Sequence, residues 1–236
     1  MIIDMPSNWS KGFTKNTHPS VFKISETMRR KKIDNFSVWR ERAKSLGIIP
    51  SNYPDFKKDG DLAELMGVVY GDGNISKFPR TERLIIAANS SNKGFIKRYH
   101  DLVNKIFNKE PTLMKVYDAD CVKISVYQNK ISKRLGIPSG NRSGIEIALP
   151  SWIKNNHEVS KRFLRGLFEA EGCFCVHKPT STYKFIFNNK NKSLLNIVFN
   201  GLIMLGFHPN LSGYKVQISR RDEVYNCIEM IQFRKY

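Results

Sequence analysis

One short pattern occurs twice in this chain. "LMGVVYGDG" fills positions 65–73 and "LRGLFEAEG" fills positions 164–172. Each copy has a leucine, a glycine two residues later, and an acid followed by glycine. The two copies stand 99 residues apart. The same offset carries Asn89 to Asn188, Asn92 to Asn191, Lys93 to Lys192 and Phe95-Ile96 to Leu194-Leu195. Further on, "VKIS" at 122–125 returns as "VQIS" at 216–219 at a slightly shorter offset. A register held this long points to an internal duplication, in which each copy is one supersecondary unit that needs its neighbour to bury an apolar face.

Both copies read as the same series of elements. An apolar helix runs to the acid–glycine pair, with Gly73 or Gly172 as the left-handed residue that closes it. Strands are expected near 74–79 and 82–88, and again near 173–178 and 182–188. A helix follows near 91–107 and 191–205, its apolar residues Phe95, Ile96, Tyr99, Leu102, Val103 and Ile106 at helical spacing. Two more strands are expected near 112–117 and 121–127, then 207–211 and 214–219. A last helix closes each copy near 128–135 and 221–232. The fold class is therefore α+β, two αββαββα repeats. Pro150 marks the junction. The expected organisation is a basic helical extension over 1–59, a first repeat over 60–149 and a second over 150–236.

Charge narrows the function. The net charge is +18, spread along the chain, with 41% hydrophobic residues, enough to build a core. A folded body this basic suits a polyanion, nucleic acid above all. The strands show which face would meet it. Val122, Ile124 and Val126 alternate with Lys123, Ser125 and Tyr127; Val216 and Ile218 alternate with Lys215, Gln217 and Ser219. One face packs on helices and the other is polar and basic. Candidate DNA contacts are Asn74, Ser76, Arg80, Arg83, Lys123, Ser125 and Tyr127 in the first repeat. In the second they are Cys175, His177, Lys184, Lys215, Gln217 and Ser219.

Asp72 and Glu171 are the unusual residues. A carboxylate near the C-terminal end of a helix is repelled by roughly 0.3–1 kcal/mol. If the repeats pack about a pseudo-twofold axis, Gly67 and Gly166, with Gly71 and Ala170 beyond them, let the two helices approach closely and bring both acids together beneath the basic faces. Paired acids there make sense as ligands of a divalent cation, which activates water and stabilises the leaving oxygen of a phosphodiester.

The two motifs, in these repeats, resemble the signature of the LAGLIDADG homing endonucleases in their two-motif, monomeric form, over about residues 60–234. The resemblance implies two pseudo-twofold-related repeats forming a DNA-binding saddle. It implies an intron-encoded enzyme that cuts both strands of a long, nearly asymmetric site in double-stranded DNA and leaves 3′ overhangs. It further implies Mg²⁺ bound by Asp72 and Glu171 with help from the carbonyls of Gly71 and Ala170, and Ca²⁺ supporting binding without cleavage. Polar or basic residues near the second-strand ends complete such sites; here these are Asn89, Asn188, Asn189, Lys190 and Lys184. The alternative on the same fold is an RNA-binding intron-splicing maturase, its partner the host intron RNA, or a non-cleaving DNA-binding regulator. A hydrolase of small molecules or acidic proteins fails on charge and on the absence of a nucleophile motif such as GxSxG.

Three features stand outside that picture. Residues 1–59 read as two basic helices, one starting near Thr17 or His18, the other capped near Asn35 and ended by Gly47; they are expected to extend the DNA footprint, and Trp9, Phe13 and Trp39 do not decide the matter. Cys173, Cys175 and His177 alternate on one strand; they could ligate a metal, but reduced thiols are the simpler reading. The start "MIIDMP" does not read as a signal peptide, and no apolar run reaches membrane-spanning length, so a soluble intracellular protein is expected.

Overall fold

The computed structural model describes residues 10–34, 36–50, 52–142 and 144–236. Asn35 and Trp9 lie outside these. The chain divides into two compact units, Met1–Tyr53 and Pro54–Tyr236.

The first unit carries α1 (Pro19–Arg30) and α2 (Ser37–Ser45). Pro19 stands at the first helical position, where its missing N–H costs nothing, and His18 Nδ1 accepts from Ser20 N at 3.2 Å. Thr17 is not the cap; its hydroxyl accepts from Thr14 N. Gly47, at φ +69, follows α2 in the left-handed conformation that stops a helix. α1 buries none of its residues and α2 buries only Ala43.

The second unit begins with a segment in which Phe56 meets Phe107 at 4.9 Å and lies under the Arg134 guanidinium at 3.7 Å. The first repeat then runs α3 (Gly60–Gly71), β1 (Gly73–Phe78), β2 (Thr81–Asn89), α4 (Lys93–Phe107), β3 (Thr112–Lys115), β4 (Cys121–Gln128) and α5 (Ile131–Leu135). After α6 (Ser151–Lys154), the second runs α7 (His157–Glu171), β5 (Gly172–His177), β6 (Thr182–Asn188), α8 (Lys192–Met204), β7 (Asn210–Ser212), β8 (Lys215–Ile218) and α9 (Arg221–Met230). Both repeats form a four-stranded antiparallel sheet of the same order, β1-β2-β4-β3 and β5-β6-β8-β7. The matched asparagines have a local reason: Asn92 caps α4 through Phe95 N, and Asn191 caps α8 through Ser193 N and Leu194 N. α5 starts later than the expected 128 because β4 continues through Gln128.

Each sheet buries one face. Ile75, Leu84, Ile86, Ile124 and Val126 pack beneath the first, and Phe185, Phe187, Val216 and Ile218 beneath the second. The core continues into α3 and α7, where Phe168 stacks on Phe185 with centroids 4.3 Å apart. Among the described residues no helix is long and apolar enough to cross a membrane.

The glycines after the acids do not act as expected. Neither Gly73 nor Gly172 has a positive φ; Gly172 is extended at φ −85, ψ 146. They are required for space. A Cβ on Gly73 would stand 2.7 Å from Val69 O, and one on Gly172 would stand 2.8 Å from Phe168 Cδ1. Each strand leaves its helix by folding straight back over the last turn.

The described residues between α5 and α6 form a linker that belongs to no helix or strand, and Pro150, the expected junction, is the N-cap of α6. The linker is nevertheless tied down. Gly140 N donates to Ile75 O at 2.9 Å, Ile147 N donates to Ser193 Oγ at 2.9 Å, and Asn191 Nδ2 donates to Ile145 O at 2.8 Å.

Candidate functional site

α3 and α7 approach until backbone meets backbone. A Cβ on Gly67 would stand 2.9 Å from Leu167 N, and one on Gly166 would stand 2.8 Å from Val68 N and nearer still to Glu64 O. Farther along, Gly71 faces Ala170, and a Cβ on Gly71 would come within 3.1 Å of Glu171 Cγ. The small residues therefore place the ends of both helices, and the acids they carry, side by side.

A buried ionic cluster fixes the register farther down the pair. Glu64, fully buried on α3, accepts from Arg98 Nε at 2.5 Å and Nη2 at 2.8 Å, and from Arg162 Nε of α7 at 2.6 Å. Arg162 also donates to Asp61 at 2.6 Å. Buried Arg165 donates to Gln232 Oε1 at 2.9 Å and Lys235 O at 2.7 Å, while Glu169 accepts from Arg234 N at 2.6 Å and from Tyr236 OH. Charges buried this deeply persist only when they are paired.

Asp72 caps α3 and Glu171 is the last residue of α7. Among the described residues, no lysine, arginine or histidine pairs with either carboxylate. Burial, and then the charge of Glu171, pushes the Asp72 carboxyl up to about 6; burial also raises Glu171. The residue as a whole stays exposed, so the burial of the carboxyl is partial, and the nearby charge of Glu171 adds to it. Two crowded, unneutralised carboxylates fit a hard divalent cation whose remaining ligands are water and phosphate oxygens. The donor set supplied by the chain is small: no group of three or more His, Cys, Asp or Glu side chains gathers among the described residues.

The sheet register sorts the other expected site residues. Arg83 pairs with Tyr127, Ala87 with Lys123, and Ile85 with Ser125, on the face opposite the core; Asn74 and Ser76 of β1 join them, and Arg80 stands exposed in the β1–β2 turn. Arg83 lies 5.4 Å from the Phe78 ring and 5.7 Å from the Tyr127 ring, and donates to Tyr127 OH at 3.2 Å. Phe78 belongs to this cluster and was not anticipated. In the second sheet Cys175 pairs with Lys184, Ile186 with Gln217, and Asn188 with Lys215, while Gln217 Nε2 donates to Ser219 Oγ. His177, on the same face, contacts Thr180 instead of a metal-like cluster. Cys173 and Cys175 bring their sulfurs to 3.2 Å, and that contact holds the Cys173 thiol above its ordinary pKa.

The residues expected near the acids separate into two groups. Asn189 and Lys190 line a cavity of about 270 Å³ together with Asn74 of the first repeat and Arg142 of the linker. Lys184 does not come to the helix ends: Gly172 pairs with Phe187, and Lys184 lies three residues farther along β6, about 10 Å at strand spacing. Asn89 is exposed, with its Oδ1 committed to Ser91 N and Oγ. Arg142 was not foreseen. Its Nη2 donates to Val69 O at 2.8 Å and Gly73 O at 2.6 Å, on either side of Asp72. A single arginine in a stretch with no periodicity gives no sequence signal of that role.

No family model matches the chain. One curated relative does: the replication factor C small subunit of Methanocaldococcus jannaschii is 33% identical over 152 residues, which is 60% of this chain and about 8% of that protein's length. Among solved structures, a crystal structure of I-DmoI in complex with DNA and Mn aligns with TM-score 0.50 at 20% identity, covering 74% of this chain and 97% of that one. Full-length DUF199/WhiA from Thermatoga maritima aligns with TM-score 0.52 at 15% identity, covering 78% of this chain and 59% of that one. Structures of mesophilic variants from the homing endonuclease I-DmoI align with TM-score 0.48 at 22% identity, covering 73% and 94%. The chain has the α+β fold of the LAGLIDADG proteins.

Proposed function

We propose that this LAGLIDADG-fold chain is a site-specific DNA endonuclease that hydrolyses both strands of a long duplex site in a divalent-metal-dependent reaction, leaving 3′ overhangs. The observation that carries the reading is the pair of unneutralised carboxylates, Asp72 and Glu171, side by side at the helix ends between two basic sheet faces. A module that only bound nucleic acid would gain nothing from crowding two acids where a polyanion must approach. Asp72 and Glu171 would hold the metal, Mg²⁺ in the cell, with the carbonyls of Gly71 and Ala170 as further oxygen donors. The bound ion would supply an activated water and stabilise the leaving oxygen. The polar outer faces of both sheets would lie in the major groove, where Arg83, set between two rings, is held ready for a base edge.

A monomer acting on double-stranded DNA fits the two unlike sheets of one chain. On this reading the enzyme is intron-encoded; the alternatives on the same fold are an RNA-binding maturase that splices the host intron RNA and a non-cleaving DNA-binding regulator. The matched relative does not decide between them, because the shared stretch is a small part of that protein.

Cleavage of a library of randomised duplexes tests the reading. With Mg²⁺ the wild type should release cut products, and with Ca²⁺ it should bind without cutting. Asp72→Asn and Glu171→Gln each remove a charged ligand with almost no change of volume, so both should lose double-strand cleavage and keep binding. Cutting near the wild-type rate by both variants would refute the assignment.

A further inference from the structure

β5 is the open edge of the second sheet; among the described residues it pairs with β6 alone. Every residue of it after Gly172 is exposed. Cys173 and Cys175 stand there with one residue between them, and their sulfurs meet at 3.2 Å. Free cysteine is ordinarily among the most buried of residues. The other two cysteines keep closer to that habit: Cys227 is buried in α9, and Cys121 is half-buried on the first sheet. At the 99-residue offset, the same two places in the first repeat hold Asn74 and Ser76, where Ser76 Oγ donates to Asn74 Oδ1 at 2.8 Å. A polar pair serves this position in one copy, and the other copy carries a dithiol.

Two exposed thiols in contact can complete an exchange that one thiol leaves half finished. One cysteine sulfur attacks a sulfur of a small disulfide such as oxidised glutathione. The S–S bond of that molecule breaks, a mixed disulfide forms, and one small thiol leaves with the proton. The second cysteine sulfur then attacks the first. The mixed disulfide breaks, the Cys173–Cys175 bond forms, and the second small thiol leaves with the other proton. The chain gives up two hydrogens, and one small disulfide becomes two thiols. Geometry makes the product reversible. Residues two apart in an extended strand have Cα atoms about 6.7 Å apart, against about 5.5–6 Å across an ordinary disulfide. Closure therefore draws the start of β5 in by about 1 Å. An edge strand, tied on one side only, can take that pucker, and an exposed, strained bond of this kind is readily reduced again.

We propose that Cys173 and Cys175 form a reversible dithiol–disulfide switch on the outer face of the second sheet. Cys173 follows Glu171 by two residues, so shortening the start of β5 pulls on the acid assigned to the metal. That consequence rests on the endonuclease reading above; the chemistry of the thiol pair does not. A misplacement of about 1 Å costs about a hundredfold in rate. Oxidation therefore turns cutting off, and reduction restores it.

The test has two readouts on the full chain. In the first, the protein is equilibrated with mixtures of reduced and oxidised glutathione, alkylated and mapped by mass spectrometry. The peptide holding both cysteines should lose two hydrogens and carry no glutathione, and dithiothreitol should reverse the change. Glutathione adducts in place of the internal bond, or thiols that stay free in every mixture, overturn the site. In the second, the randomised duplex library is cut with Mg²⁺. Oxidised wild type, freed of glutathione, should cut about a hundredfold more slowly than reduced wild type and recover with dithiothreitol. The double variant Cys173→Ser/Cys175→Ser should cut at one rate whichever buffer it was held in. Equal rates for oxidised and reduced wild type, or the same loss in the double variant, overturn the switch. A reduced wild type that cuts no duplex overturns the endonuclease reading instead, and the peptide map then decides the dithiol site by itself.

Discussion

Gly166→Ala should be among the most damaging single-methyl changes available in this chain. The added Cβ would stand 2.8 Å from Val68 N and nearer still to Glu64 O, where ordinary contact begins at 3.4 Å. Both obstructing atoms are backbone of α3, so no rotamer change relieves them, and the Glu64 carbonyl alone requires the helices to part by about 1.3 Å. Overpacking costs about 1–3 kcal/mol when side chains can adjust; with backbone on both sides the upper end applies. Alanine's better helix propensity returns about 1 kcal/mol. The net loss is about 2 kcal/mol, or roughly 4–8 °C in thermal midpoint for a chain of this size. Gly201→Ala is the control, because its Cβ would meet only Leu164 side-chain carbons at 3.3 Å. Those atoms can yield, so this variant should lie within about 1 kcal/mol of wild type, on the stable side if propensity wins. Urea denaturation of all three proteins decides the matter. Equal stability for Gly166→Ala and wild type, or a larger loss in Gly201→Ala, would show that the helix pair is not packed backbone to backbone.

Three other outcomes follow from the same structure. With metal chelated, Asp72→Asn should be more stable than wild type near neutral pH: the folded carboxyl titrates at about 6 against 3.8 for the free group, so the folded chain holds its proton longer and stability falls as pH rises between those values. The difference should vanish at pH below 3.8 in urea midpoints, and a less stable Asp72→Asn at neutral pH would contradict the crowding of the two acids. Glu64→Ala leaves buried Arg165 and half-buried Arg98 and Arg162 without the carboxylate they share and should cost about 3–5 kcal/mol by the same assay; a loss below about 1 kcal/mol would show that the cluster is hydrated. Removing residues 1–53, the larger part of the 1–59 extension expected to lengthen the DNA footprint, should make the salt slope of duplex binding shallower without moving the cut positions, whereas an unchanged slope would assign that unit a role away from DNA.

The repeat order was legible because duplication leaves two independent records of each element. Apolar spacing marked the helices, alternation marked the strands, and both point the same way in each copy. The pairing of Asp72 with Glu171 was legible for the same reason, since Gly67 and Gly166 occupy equivalent places. What escaped was set by three-dimensional space. Gly73 and Gly172 looked like left-handed caps because glycine commonly serves there, yet the strand folds back so tightly that only the missing Cβ matters. Lys184 looked close to the acids in sequence, but its place along β6 carries it outward. Arg142 and the linker carry no periodic signal, because their positions come from bonds to Ile75, Asn191 and Ser193 in distant parts of the chain.

The ionic cluster between α3 and α7 makes the two repeats unlike partners. At the 99-residue offset Glu64 corresponds to Phe163, Ala63 to Arg162, Met66 to Arg165 and Tyr70 to Glu169. A first repeat facing a copy of itself would bring two buried glutamates to one seam and lose the α7 arginines that Glu64 meets. A second repeat facing its own copy would bury arginines without Glu64 to receive them. Each half has thus given up self-recognition and kept only its counterpart. The two sheets are in consequence free to diverge independently, with no symmetry left to hold their sequences together.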